Sequence, residues 1–199
     1  MTTHSKRSTD IAVIGMSCRF PMAGNPDEFW QLLRDGIDCI TEFSEAQFKA
    51  SGIDPSVLKH PSLVKKGMVL EDYDKMDASF FGLSPRDAEV MDPQHRIFLE
   101  AAWEALENAG YDAEMYNDGL IGVYGGVDGS SYLVNIYLNP EVLQSVGMFT
   151  VALHNDKDSL TTRVAYKLNL KGPAVTVQSA DSTSLVAIIQ ACGSLLNYQ

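Results

Sequence analysis

The stretch GPAVTVQSADSTSLVAIIQACGSLL, Gly172–Leu196, decides the reading of the fold. Ala174, Val175, Thr176 and Val177 are small and β-branched, which predicts a short buried strand. Leu185, Ile189, Cys192 and Leu196 recur at i, i+4, i+7 and i+11, the spacing of the buried stripe of an amphipathic helix. Between them lies a bend with Asp181 at its apex and Ala180 and Ser182 beside it. Elbows of this kind lift one side chain above a sheet at a helix N-terminus, a position suited to a nucleophile. Here the group is a carboxylate, which the unpaired N–H groups of a helix start favour electrostatically. On the residues alone, Asp181 reads either as a nucleophile or as a helix cap without chemistry.

Upstream, NDKDSLTTRVAYKL is expected to be a helix with Asn155 as its cap, and Lys171, Gly172 and Pro173 turn the chain into the strand. LIGVYGGV, Leu120–Val127, predicts a second buried strand whose glycines permit close backbone approach, and GVDGSS after it reads as a loop. Asp10–Gly15 predicts a first strand, buried on both faces. NPDEFWQLLRDG carries Asn25 as N-cap, Pro26 at the first helical position, Glu28 three residues past the cap and Gly36 as a stop. Ser84–Pro85 and Asp92–Pro93 open two further helices, the second ending at Gly110 and expected to pack on a sheet. The Thr41–Phe81 text is irregular and reads as an excursion with short helical turns and a hairpin. It and the loop after Val127 are candidate partner contacts, with ordinary surface loops the simpler reading. Strands alternating with helices give an α/β class with a largely parallel mixed sheet and packed helices.

The chain has 199 residues, 45% of them hydrophobic, enough for one domain or a large piece of one. A net charge of −11 argues against nucleic acid or an anionic membrane as partner. Cys18, Cys39 and Cys192 are widely spaced and fit reduced, partly buried thiols. None of the four histidines has metal-ligand spacing; His95 is expected to make a capping contact or salt bridge, and His154 to be a satisfied structural histidine. The polar N-terminus holds neither a signal peptide nor a membrane span, so the expected compartment is the cytoplasm.

IAVIGMSCRFPMAGNPDEFWQLLRDGIDCI, MDASFFGLSPRDAEVMDPQHRIFLEAAWEALENAGY, GVYGGV and NDKDSLTTRVAYKLNLKGPAVTVQSADSTSLVAIIQACGSLL resemble, in order, blocks of β-ketoacyl synthase (ketosynthase) domains of modular polyketide synthases. The resemblance implies the first half of a thiolase-like fold over residues 10–199, behind a polar leader at 1–9. It implies a homodimer that takes acyl groups from the phosphopantetheine of an acyl carrier protein onto a cysteine, then condenses them with a malonyl unit. No cofactor is then bound directly, and no metal.

Two departures set the functional expectation. In SADSTSL, Asp181 holds the place of the cysteine in the family's TACSSSL elbow, and the two histidines of the family's second half are absent from this truncated text. Cys192, on the helix stripe, is no substitute. The expectation is a ketosynthase unable to perform decarboxylative Claisen condensation, acting in dimerisation or docking, with exposed apolar faces that make it an oligomer or a partner's complement. The alternative is half of a split or engineered ketosynthase that binds, hydrolyses or decarboxylates carrier-bound acyl groups once a C-terminal partner completes it.

Overall fold

The computed structural model describes residues 9–112, 115–116 and 120–197, so the leader at 1–9 lies almost wholly outside the described residues. The chain divides into two compact units: Cys18–Tyr73, and the remainder formed by the chain up to Ser17 together with the segment from Asp74 onward.

In the Cys18–Tyr73 unit, helix α1 (Pro26–Asp35) begins as the sequence predicts. The Asn25 side chain accepts from Glu28 N at 3.0 Å, and the Glu28 carboxylate accepts from Gly24 N at 2.8 Å. Gly36 ends the helix in the left-handed region, at φ 64°. Phe20 stacks on Phe29 with 4.0 Å between ring centroids. The irregular text folds as β1 (Thr41–Glu42), α2 (Glu45–Ala50), α3 (Pro55–Leu58) and β2 (Lys66–Gly67). β1 and β2 pair antiparallel across the two short helices, so the expected turns and strand pair are present.

The other unit holds α4 (Pro85–Val90), α5 (Pro93–Asn108), β3 (Val123–Gly125), α6 (Ser131–Tyr137), α7 (Pro140–Val146), α8 (Met148–Asn155), α9 (Ser159–Lys167), β4 (Ala174–Thr176) and α10 (Thr183–Leu196). Ser84 and Asp92 cap α4 and α5 as expected, accepting from Asp87 N at 3.1 Å and Gln94 N at 2.7 Å. β3 and β4 run parallel, with Val123, Tyr124 and Gly125 opposite Ala174, Val175 and Thr176. Val177 N extends the ladder by donating to Gly125 O at 2.8 Å.

Successive residues of a strand face opposite sides of the sheet, and the end of β3 uses this to seat two layers. A Cβ on Gly125 would lie 2.5 Å from the Phe98 ring of α5, whereas one on Gly126 would lie 2.0 Å from Thr183 Cγ2 of α10. Helix α5 therefore covers one face and α10 the other. Helix α9 joins α5, with the Thr161 and Thr176 hydroxyls hydrogen-bonded at 2.9 Å. The core on that side is Phe81, Leu83, Met91, Leu99, Val123, Val164 and Leu168; a second cluster gathers Val90, Ile136 and Val151 where α4 meets α6–α8.

Three expectations are corrected. Asp10–Gly15 forms no strand among the described residues, and Ile11, Val13 and Ile14 are exposed, Val13 by 79%. A strand buried on both faces needs flanking strands, and this segment instead runs along α5. There Met16 N donates to Asn108 Oδ1 at 2.9 Å, the Ser17 hydroxyl donates to Glu104 at 2.6 Å, and Gly15 abuts the Ala105 carbonyl. Asn155 is the last residue of α8 rather than the cap of α9; Asp158 takes that place. The buried Asn155 amide donates to Val90 O and Val151 O at 2.8 and 2.7 Å. The stripe Leu185, Ile189 and Leu196 is exposed, at 61, 60 and 44%, while Ala187 and Ser194 are buried. Helix α10 is apolar on several faces; its small residues Ala187 and Ser194 are the buried ones, and Gly126 just past β3 leaves room for Thr183 at its start.

The seat of α10 gives a direct test. Gly126→Ala places a methyl inside the Thr183 contact and is expected to lower stability by about 3 kcal/mol, read from urea denaturation at unchanged m-value.

Candidate functional site

The elbow follows directly from β4. Ala180–Ser182 form a single 3-10 turn that leads into α10. Ala180 has φ 47°, a left-handed conformation that costs a residue with a Cβ about 1 kcal/mol. Hydroxyls hold the turn. Ser182 Oγ donates to Ser179 O at 2.8 Å, the Ser179 and Ser182 hydroxyls lie 2.8 Å apart, and Ser179 N donates to Thr183 Oγ1 at 2.9 Å. Gln178 ties the elbow to the end of β3, its amide donating to Val127 O at 3.1 Å while its oxygen accepts from Lys157 Nζ at 3.2 Å.

Asp181 is exposed at the apex, flanked by exposed Ala180 and Ser182, so the structure brings the three predicted residues together. The cap positions of the 3-10 turn and of α10 make no side-chain capping hydrogen bond, and among the described residues no hydrogen bond engages the Asp181 carboxylate. The geometry of the elbow is thus held by hydrogen bonds of Ser179, Ser182 and Thr183, and the Asp181 side chain takes no part in them. Gln178, Thr161 and Lys157 are the supporting residues that sequence reading passed over. Gln178 stood in the opening stretch, but its partner Val127 is 51 residues away and no local spacing announces the pair.

Cys192 is half-buried on α10, nine residues beyond Thr183, or roughly 14 Å of helix rise from the elbow. Cys18, Cys39 and Cys192 form no disulfide among the described residues.

A buried polar cluster lies where α4, α5, α8 and α9 meet. His95 is 2% exposed and neither ring nitrogen has a hydrogen-bond partner, so the expected capping contact or salt bridge is not formed. The cap is made by Asp92 itself, and the histidine of the first turn points inward. Burial, reinforced by the Arg163 guanidinium, lowers its pKa from 6.5 to about 4. His154 is also buried, with Nε2 3.4 Å from Asp87 Oδ1 and Nδ1 without a partner, so its expected satisfaction is only partial. Burial and Arg163 lower its pKa against the opposing pull of Asp87. Arg163 itself donates to Leu153 O at 2.6 Å. Among the described residues no three metal-ligating side chains cluster, and no helix is long and apolar enough to cross a membrane.

A parallel strand pair flanked by helices, with a strand turning through a left-handed residue into an apolar helix, is an arrangement consistent with part of a thiolase-like fold. The chain belongs to the beta-ketoacyl synthase family, whose N-terminal domain matches residues 8–199. It is 44% identical over 194 residues to one of the phenolphthiocerol/phthiocerol polyketide synthase proteins of Mycobacterium tuberculosis, covering 94% of this chain and 13% of that protein. It is 41% identical over 187 residues to polyketide synthase ThaG of Burkholderia thailandensis, covering 93% of this chain and 3% of the relative. Ketosynthase twelve of the bacillaene polyketide synthase from Bacillus amyloliquefaciens superposes with a TM-score of 0.79 at 32% identity, over 94% of this chain and 32% of that one. The oxazolomycin ketosynthase domain OzmH KS7 of Streptomyces albus gives 0.76 at 30% identity, over 93% and 32%. The chain thus spans a small fraction of the polyketide synthases and about a third of the solved ketosynthases it matches.

Two measurements follow from this geometry. A histidine whose folded pKa lies below its unfolded value stabilises the fold fully above pH 6.5 and loses that contribution as pH falls toward 4, because the unfolded chain binds the proton first. Stability is expected to drop by about 3 kcal/mol from His95 over that window, with His154 adding in the same direction; a His95→Leu variant should flatten the profile in urea titrations. Ala180→Gly is expected to be neutral or stabilising by up to about 1 kcal/mol, and Ala180→Val destabilising by about 2 kcal/mol, by the same assay.

Proposed function

We propose that residues 10–199, behind a polar leader at 1–9, are the first half of a polyketide synthase ketosynthase domain that does not condense acyl units and serves in dimerisation or docking during polyketide assembly. The observation that carries this reading is an elbow built intact around an exposed carboxylate, Asp181, where the family resemblance places a thiol. Attack of a carboxylate on a thioester forms a mixed anhydride, which is more reactive than the thioester it came from and is lost to water. The helix N-terminus that would lower a thiol's pKa here stabilises only an anion already formed.

The partners are, on this reading, polyketide synthase modules or an acyl carrier protein whose phosphopantetheine carries the acyl group, in the cytoplasm. Leu185, Ile189 and Leu196, exposed along α10, support either a second copy or a complementary polypeptide as the cover. The same surface suits the alternative of a half-enzyme completed in trans that hydrolyses or decarboxylates acyl groups.

Incubation with an acyl N-acetylcysteamine thioester and intact-mass analysis tests the elbow. The wild-type chain is expected to hold no stable acyl adduct, and Asp181→Cys to gain one, with alkylation of its thiol half-maximal well below pH 8.5. A persistent adduct on Asp181, or carbon–carbon bond formation by the wild-type chain, would refute the proposal.

A further inference from the structure

A cavity of about 730 Å³ opens beside the end of α5, away from the elbow. Its wall is aromatic: Phe80 meets Trp103 edge to face with 4.9 Å between centroids, and Tyr111 shares the lining. Phe80 remains 54% exposed and Trp103 is half-buried, so both keep ring surface that the core does not use. Glu107 stands four residues beyond Trp103 on α5, which puts its carboxylate one turn from the indole on the same helix face. Asp112 adds a second carboxylate to the lining, and its Oδ1 accepts from Met115 N at 3.3 Å. Lys167 is the cation among the described lining residues, and its Nζ donates to Gly82 O at 3.0 Å.

Aromatic faces and carboxylates share one preference, for positive charge, and a chain of net charge −11 raises the local concentration of cations. We propose that this cavity binds a small organic cation, a quaternary or protonated amine, held by the rings of Phe80, Trp103 and Tyr111 and by the Glu107 carboxylate. The site is independent of the elbow and of the function proposed for it.

Trp30 and Trp103 are the two tryptophans of the chain, so Trp30→Phe leaves Trp103 as the sole indole reporter. Titration of that protein with choline is expected to change its emission saturably. The uncharged isostere 3,3-dimethyl-1-butanol should bind at least fivefold more weakly, within the range a cation–π contact supplies. Glu107→Gln, at an exposed position that leaves the fold intact, should weaken choline about threefold, and Lys167→Gln should tighten it. Absence of a saturable change, equal binding of choline and its isostere, or weaker choline binding in Lys167→Gln with an unchanged urea midpoint would each overturn the assignment.

Discussion

The close seating of α10 on the end of β3 is the constraint on which the larger unit depends. Gly125 and Gly126 face opposite sides of the sheet, and each leaves room for one side chain from a covering helix, Phe98 of α5 or Thr183 of α10. Any larger residue at either position would push a helix away from the strand pair. With both helices at contact distance, the chain leaving β4 has only a short turn in which to reverse, and Ala180 accepts a left-handed backbone to make it. The strain at Ala180 and the hydroxyl bonds of Ser179, Ser182 and Thr183 are two sides of one requirement, a tight bend over a thin sheet. The bend is held by the Ala180 backbone and by the hydroxyls of its neighbours, with no hydrogen bond from the Asp181 side chain among the described residues.

Behind this layer, an acidic chain buries basic groups. His95, His154 and Arg163 approach one another where α4, α5, α8 and α9 meet, with Asp87, Asp92 and Asp158 as the nearby carboxylates. Arg96 donates to Asp74 O at 2.9 Å and Arg163 to Leu153 O, so the guanidinium groups are held in part by backbone carbonyls. Both imidazoles lower their pKa under this arrangement, since burial and a neighbouring guanidinium disfavour the same charged form. The cluster lies where these four helices meet, and the small apolar cluster of Val90, Ile136 and Val151 joins α4 to α6 and α8.

Legibility in the sequence followed the range of the interaction. Caps at Asn25, Ser84 and Asp92 involve partners two or three residues away, and each was readable from spacing alone. The elbow is readable because a β-branched run adjoins an apolar helix across five residues with Asp181 among them, and the family resemblance then sets that position against a cysteine. Misreadings arose where two local patterns competed. Helix α10 offers more than one apolar face, and its bulkiest stripe, Leu185, Ile189 and Leu196, is exposed while the small residues Ala187 and Ser194 are buried. Asn155 has the composition of a cap, yet the carbonyl of Val90, 65 residues earlier, claims its amide.

The sequence by itself determined the α/β alternation, the starts of α1, α4 and α5 and the elbow with Asp181 at its bend, because each is written in residues a few positions apart. Tertiary structure alone decided which face of α10 is buried, that the Asp10–Gly15 segment lies on a helix and makes no ladder, and that His95 turns inward. Those outcomes depend on which distant backbone can come within contact distance, and that is set by side-chain volume across the strand pair.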